Sequence, residues 1–163
     1  MKVAFIGLNN FENKPLLAKV VRNRLEDILE KLITQNRAKE FVFGKIGYFS
    51  HVSYLAVNKL KRKYPRIKRV YISKFVDVDR KARKSLAGFF EKVKYPMTEF
   101  YEEIKGNNIR NELIIDDFCD LLIIYYDSEF DEIDTQHAYN YAMAKGKKII
   151  NLFDENDAKN IVF

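Results

Sequence analysis

Arg110 and Asn111 are the adjacent side chains best suited to contact an anionic or nucleotide-like ligand. Arginine offers a planar, permanently charged fork for phosphate or carboxylate groups, and asparagine can hydrogen-bond a base or ribose edge. The alternative is structural, because Arg110 could pair with Asp116 or with the acidic loop that follows, and Asn111 could cap a helix. Both interpretations stay open at the level of the sequence.

Carboxylates between Asp127 and Asp134 form a second group of reactive side chains. Hard oxygen ligands suit calcium or magnesium, but this run lacks the glycine and the closing glutamate of an EF-hand loop. We therefore expect a solvated acidic loop and no metal site. In an enzyme, Asp127 or Asp134 would be the carboxylate that stabilises an oxocarbenium-like state.

The chain shows no identifiable catalytic residue, and we expect no cofactor. Cys119 precedes an apolar run, which favours a buried, inert thiol. Ser50 and His51 stand together at a predicted helix start without a visible acidic partner, so helix capping by Ser50 is the simpler role. His137 is interpreted as a surface residue or a local hydrogen-bonding group, and contact with a ligand from the first turn of its helix is the alternative.

Two glycine-bearing turns follow predicted strands and could bring the backbone close to a ligand. Gly7 begins the first turn, in which Asn9 supplies a polar side chain, and Gly44 and Gly47 bracket the second. Phe49 follows directly and could stack on a base. The next helix would point its partly positive N-terminus at the same place. The alternative is that Gly44 and Gly47 only shape a tight turn.

Short apolar strands alternate with amphipathic helices along the chain, which predicts an α/β fold. The alternation implies a doubly wound, mainly parallel sheet of about five strands with helices on both faces. Ligands of such sheets lie at the C-terminal ends of the strands, where the last turn contributes Asp127, Asp134 and Thr135. The predicted strands are 3–6, 40–43, 67–73, 120–126 and 148–153, and the predicted helices are 13–33, 50–64, 79–92, 107–118 and 134–144.

The composition is typical of one soluble globular domain, with 163 residues of which 47% are apolar. No stretch approaches the roughly 18 uncharged residues of a membrane span, and the N-terminal apolar stretch is too short for a secretory signal. A lone cysteine rules out an internal disulfide and fits a reducing compartment. We expect a single cytoplasmic domain over residues 1–163, with no membrane partner.

The net charge of +6 conceals an uneven distribution. Residues 59–94 contain fourteen basic and three acidic side chains, whereas residues 95–163 contain fifteen acidic and six basic ones. Such a basic segment can bind nucleic acid or another polyanion. A solvated lysine-rich face, or a dipolar molecule that packs head to tail, is the favoured alternative, because the aromatic residues of the segment follow a core-facing pattern.

Three ordered motifs carry a resemblance to a known group of proteins. They are residues 40–49 (EFVFGKIGYF), residues 63–67 (KYPRI), and the series Arg110, Asn111, Asp116, Asp120, Ala142 and 146–152 (GKKIINL). With these motifs the chain resembles the SLOG superfamily, which includes the LONELY GUY phosphoribohydrolases and the DNA-processing protein A core, and it is most similar to the YpsA-like branch. The resemblance implies a Rossmann-like fold and a nucleotide-derived ligand.

The site motifs depart from those of the resembling families. The first turn lacks the usual T-G-H-R pattern, Ser50 replaces an acidic residue, the paired glycines before the last helix are absent, and the P-G-G-x-G-T signature of the phosphoribohydrolases is missing. The C-terminal part also resembles the nucleoside deoxyribosyltransferases. Aligned on Thr135 and Ala142, their attacking glutamate falls on Ala138, which cannot act as a nucleophile.

We therefore predict a cytoplasmic binding or sensing domain for a nucleotide-like small molecule. Arg110 would pair with anionic groups, Gly44 and Gly47 would give backbone access, and Asn9 with Asn111 would supply polar recognition. One alternative is a hydrolase or transferase of N-glycosidic bonds in nucleotides or nucleosides, so enzymatic activity stays open. Another is a nucleic-acid-associated protein that uses residues 59–94. A homo-oligomer formed through the first helix is compatible with the sequence.

Overall fold

The computed structural model describes residues 1–7, 15–44, 47–73, 80–94, 106–129 and 133–153. Within these ranges the chain forms six strands and five helices. The strands are β1 (Lys2–Gly7), β2 (Glu40–Phe43), β3 (Lys68–Ile72), β4 (Lys92–Lys94), β5 (Leu121–Tyr125) and β6 (Lys148–Asn151). The helices are α1 (Pro15–Thr34), α2 (Tyr48–Lys63), α3 (Arg80–Phe89), α4 (Gly106–Asp117) and α5 (Ile133–Ala144).

All six strands are parallel and lie in the order β4-β3-β2-β1-β5-β6. In the centre of the sheet, Val3 of β1 stands between Phe41 of β2 and Leu121 of β5. This is the doubly wound α/β arrangement predicted from the sequence, with six strands rather than about five. The winding direction reverses between β1 and β5, which creates a topological switch point at their C-terminal ends.

The sixth strand is β4, which the sequence does not reveal. Residues 79–92 were expected to form one helix, but α3 ends at Phe89 and β4 follows at Lys92–Lys94. A strand of three residues with a single apolar side chain carries no period-two signal. Among the described residues it pairs only with β3, and its three residues are only partly buried.

Two helical layers cover the sheet because successive strand residues point to opposite faces. Val3 and Phe5 point to the layer that contains α1 and α2, while Ala4 and Ile6 point to the layer that contains α4 and α5. The first core is rich in aromatic rings and the second in small and β-branched side chains. The buried residues of the second core include Ile114, Ile115, Cys119, Leu122, Ile124, Ala138 and Ala142.

The long first helix is amphipathic, as predicted, with one buried stripe that is missing in its first turns. Val21, Leu25 and Leu29 are almost fully buried, whereas Leu16 is 80% exposed and Val20 is 46% exposed. Each residue turns a helix by about 100°, so positions 16 and 20 project away from the stripe that begins at Val21. None of the described helices is both long enough and apolar enough to span a lipid bilayer.

Candidate functional site

Four of the residues selected from the sequence meet at the switch point between β1 and β5. Gly7 at the end of β1, Asn111 of α4, and Asp134 and Thr135 in the first turn of α5 line one small cavity, together with Phe5, Ile6 and Ser50. We call this cavity the switch-point crevice. Its volume is about 10 Å³, which is room for no more than one water molecule. A larger ligand would therefore contact these groups from the mouth of the crevice.

Arg110 lies beside the switch-point crevice, under the end of β2. Its side chain is 5% exposed, and an ideal Cβ built on Gly44 would lie 3.5 Å from Nε of Arg110 and 2.2 Å from Cδ1 of Ile114. The missing side chain at Gly44 thus lets α4 approach the end of β2. The close approach that the sequence predicted for a ligand at Gly44 is made here by the protein's own helix.

The guanidinium of Arg110 lies near the phenol of Tyr71 and the carboxylate of Asp134. Burial lowers the pKa of the Arg110 guanidinium, and the nearby Tyr71 and Asp134 oppose that shift. Burial also raises the pKa of Tyr71, against the influence of Arg110. Arginine stays protonated in proteins, so the crevice has a fixed positive charge next to it. Because the surroundings are poorly hydrated, that charge acts over a longer distance than it would in bulk water.

Phe49 has a structural role that the sequence did not indicate. Its ring is completely buried, and an ideal Cβ on Gly7 would lie 2.5 Å from its Cδ1. The ring also packs at an angle against Tyr125, with centroids 6.1 Å apart. The prediction that Phe49 stacks on a bound base is therefore wrong, because no face of the ring reaches the surface. Phe49 instead supports the end of β1.

Asp127 is turned toward its own loop rather than toward solvent. It is 8% exposed, and its Oδ1 accepts a hydrogen bond from the backbone N–H of Glu129 at 3.0 Å. This is the local turn geometry that aspartate favours. The expectation of a solvated loop fails for this residue, and Asp134 is the predicted carboxylate that lines the crevice. Among the described residues, no three His, Cys, Asp or Glu side chains are placed to hold a metal ion.

The start of α2 differs from its prediction. The helix begins at Tyr48 with Gly47 as its N-terminal cap residue, and no side chain makes a capping hydrogen bond. Ser50 lies within the first turn and lines the crevice, so the capping role predicted for it is wrong. The extended backbone of Gly47 is a conformation that any residue adopts. Asn9, the remaining predicted contact, lies outside the described residues.

A second, larger pocket adjoins the crevice and was not found from the sequence. We call it the aromatic pocket; its volume is about 390 Å³. It lies between α2, α3 and the ends of β2 and β3. Ser50 lines both cavities, which makes them neighbours along the same edge of the sheet. The lining residues are Phe43, Gly47, Ser50, His51, Tyr54, Tyr71, Ser85, Leu86, Phe89 and Phe90.

His137 forms a local hydrogen bond, as the sequence suggested. Its partner, Glu112, was not predicted. The imidazole Nε2 lies 2.7 Å from Oε1 of Glu112, which joins α5 to α4. One turn further along both helices, the Tyr141 hydroxyl donates to Oδ2 of Asp116 at 2.7 Å, and Lys145 pairs with the same carboxylate. These contacts stand on the outer side of the helix pair, because their side chains are about one-third exposed or more.

The basic segment is partly neutralised by acidic residues of neighbouring elements. Lys59 pairs with Glu26 of α1, and Lys63 pairs with Glu30 of the same helix, each at 2.5 Å. Elsewhere in the segment, Arg69 and Lys61 share the carboxylate of Glu91, and Lys92 pairs with Glu40. These cations stabilise packing between elements, which reduces the charge they offer to a polyanion.

The fold and the crevice define the class of this protein as a doubly wound α/β domain of the Rossmann-like kind. No protein-family model matches the chain, and no curated protein matches it significantly. Its function must therefore be argued from the site itself.

Proposed function

We propose that this chain is a cytoplasmic binding or sensing domain for a nucleotide-like small molecule, held at the mouth of the switch-point crevice. The observation that carries the proposal is the convergence of Gly7, Asn111, Asp134 and Thr135 at one point of the sheet edge. Doubly wound sheets bind ligands at the switch point because the connecting loops diverge there to opposite faces. The sequence resemblance to the SLOG superfamily supports the same location.

Each polar group at the crevice suits one part of a nucleotide. Arg110 supplies a permanent positive charge for a phosphate or another anionic group. The Asp134 carboxylate accepts hydrogen bonds from ribose hydroxyls, whereas Asn111 and Thr135 can both donate and accept. Asn111 and Thr135 are 4% and 2% exposed, so their positions are fixed by packing before a ligand arrives. Such preorganisation lowers the entropic cost of binding.

The enzymatic alternative is cleavage or transfer at an N-glycosidic bond. The observation that favours this alternative is that Asp134 lines the crevice. Its carboxylate could stabilise an oxocarbenium-like state there. Incubation with nucleoside monophosphates and detection of free base tests this alternative. Release of base by the wild type but not by Asp134→Asn would establish catalysis, and the absence of release across the common bases would count against it.

A thermal-shift titration with nucleoside monophosphates, cyclic nucleotides and ADP-ribose tests the binding proposal. A ligand that binds only the folded chain stabilises it by about 2.7 kcal/mol at a hundredfold excess over Kd. We expect Arg110→Lys and Thr135→Val to reduce the shift, because the first loses the planar fork and the second loses a hydroxyl without a change of shape. Both substitutions keep the buried volume nearly constant.

Ser53→Ala is the matched control for removing a buried hydroxyl outside the crevice. Ser53 is fully buried in α2, and its Oγ has no hydrogen-bond partner among the described residues. Its replacement should leave the ligand-induced shift unchanged. The proposal fails if no compound of the panel stabilises the wild type. Equal shifts in wild type and Arg110→Lys would remove the role assigned to Arg110.

A further inference from the structure

The walls of the aromatic pocket are a connected set of five rings. Phe90 lies at their centre, with its ring centroid 5.1 Å from Tyr71, 5.5 Å from Tyr54 and 5.7 Å from Phe43. Phe89 extends the set from α3, with its centroid 6.4 Å from that of Tyr54. Rings from four elements or their ends thus surround one cavity.

One wall of this pocket is open to water. Phe89 is 54% exposed although it packs against Tyr54. Removing exposed apolar surface from water lowers the free energy. A flat molecule that entered the pocket would cover this face of Phe89. The open wall therefore favours occupation by an apolar or aromatic group.

A few polar groups stand among the apolar and aromatic side chains that line the pocket. Ser50 and Gly47 belong to the start of α2, His51 is exposed beside them, and Ser85 lies on α3. Apolar walls with a few polar groups are typical of pockets that orient a small molecule. A heteroaromatic ring matches this distribution, because its faces stack on aromatic side chains while its ring nitrogens and substituents hydrogen-bond at the edge.

We propose that the aromatic pocket binds the flat heteroaromatic ring of a ligand, a base of one or two fused rings. The inference rests on the proposed function, since it names the part of a nucleotide-like ligand that enters this cavity. Ser50 is shared by the pocket and the crevice. A ligand with its ring in the pocket would therefore extend past Ser50 and present its polar groups to Arg110 and Asn111.

Calorimetric titration of free nucleosides separates this inference from the proposed function, because nucleosides carry the ring without the phosphate. The probes are adenosine, guanosine, cytidine and uridine. We expect at least one to bind the wild type and to bind Ser85→Trp at least tenfold more weakly, because the indole would occupy part of the cavity. Lys84→Trp is the matched control, since Lys84 is exposed on the same helix and does not line the pocket.

A second substitution, Phe89→Ala, keeps the test decisive if Ser85→Trp disturbs α3. Phe89 is half exposed, so its loss should leave the fold intact while it removes one stacking surface and weakens nucleoside binding severalfold. Arg110→Lys should weaken binding of the matching 5′-monophosphate more than binding of the nucleoside, because only the monophosphate carries the anionic group. Circular dichroism and thermal unfolding verify the fold of each variant.

Each outcome decides one of the two proposals. Equal nucleoside affinity in wild type, Ser85→Trp and Phe89→Ala overturns the assignment of the aromatic pocket, even if Arg110→Lys still weakens nucleotide binding. A loss in Ser85→Trp together with unchanged nucleotide affinity in Arg110→Lys supports the pocket and contradicts the role of Arg110. Failure of every nucleoside to bind the wild type also overturns the inference.

Discussion

Arg69 and Glu91 form a bidentate ion pair that joins the start of β3 to the residue before β4. Nη2 of Arg69 lies 2.6 Å from Oε1 of Glu91, and Nε of Arg69 lies 3.2 Å from Oε2. Nη1 of the same arginine donates to the Tyr54 hydroxyl at 2.8 Å, and that hydroxyl donates to the carbonyl oxygen of Phe89 at 3.2 Å. Through these hydrogen bonds the ion pair fixes the positions of Tyr54 and Phe89, two of the rings that line the aromatic pocket.

Replacing Glu91 with glutamine should weaken the fold in a pH-dependent way. Burial alone would raise the pKa of Glu91, but hydrogen bonds from Arg69 and the charges of Arg69 and Lys61 lower it to about 2 from an ordinary value of 4.5. The unfolded chain then binds more protons between these values, so the stabilisation is complete above about pH 4.5 and disappears as the pH falls toward about 2.

Urea unfolding at several pH values measures this effect. We expect Glu91→Gln to lose about 1–2 kcal/mol of unfolding free energy near neutrality, a modest value because the pair is partly solvated. The difference from wild type should shrink as the solution is acidified. Glu129→Gln is the control, since Glu129 is exposed in the turn after β5. A difference between wild type and Glu91→Gln that stays constant with pH would contradict the pKa assignment.

Three glycine-to-alanine substitutions should differ in cost according to what the new methyl group meets. At Gly7 it would meet the buried Phe49 ring at 2.5 Å, and at Gly44 it would meet the terminal methyl of Ile114 at 2.2 Å. At Gly88 it would meet nothing within 4 Å. We expect losses of about 1–3 kcal/mol at Gly7 and Gly44, where the core is overpacked, and a gain of up to about 1 kcal/mol at Gly88, where alanine favours the helix.

A double-mutant cycle checks the contact at Gly44. Ile114→Val removes the methyl group that blocks the new side chain, so Gly44→Ala should cost less in that background than in wild type. Denaturant unfolding of the four proteins gives the coupling energy. If the two substitutions prove additive, the close approach between Gly44 and α4 is not the source of the cost.

Cys119 should resist alkylation until the protein unfolds. The thiol is 3% exposed, and burial raises its pKa to about 12. Only the thiolate reacts with iodoacetamide or aromatic disulfides, so labelling near pH 8 should be slow in buffer and complete in denaturant. Mass spectrometry after timed labelling measures both rates. Rapid modification of the folded protein would contradict the burial of this side chain.

The basic segment should bind duplex DNA only weakly near physiological salt. Lys59, Lys63 and Arg69 already pair with carboxylates of the protein, and binding driven by phosphate neutralisation falls steeply as salt rises. Fluorescence anisotropy of a labelled duplex between about 25 and 200 mM salt tests the expectation. Tight binding at about 150 mM salt would revive a role in nucleic-acid association.

The sequence predicts the central elements of the fold because their signals are local. The apolar run of β5 and the periodic stripe of α1 each identify an element from its own residues, and the parallel order follows from their alternation. The short β4 depends on its pairing with β3, which no local pattern records. The outward position of Leu16 follows from helix geometry, but only once the centre of the buried stripe is known.

The candidate site was predicted in part for the same reason. Asp134 and Thr135 follow from the rule that strand ends carry the ligand-contacting residues, whereas Asn111 follows from its side-chain chemistry beside Arg110. Phe49 could not be assigned, because a ring beside a strand end either stacks on a ligand or fills the core, and tertiary packing decides between them. The aromatic pocket combines side chains from distant parts of the chain, such as Phe43, Tyr71 and Phe89, and no single segment reveals that combination.

The short strand β4 also limits how far this sheet can extend from one molecule to the next. An edge strand exposes unpaired backbone groups, and a long flat edge can template fibrous aggregation. In the described part of the chain this edge strand has three residues, and lysine occupies two of them, at positions 92 and 94. A strand added from another molecule would gain few hydrogen bonds and would have to pack beside the charged side chains of Lys92 and Lys94. The β4 edge of the sheet therefore disfavours polymerisation by the addition of strands.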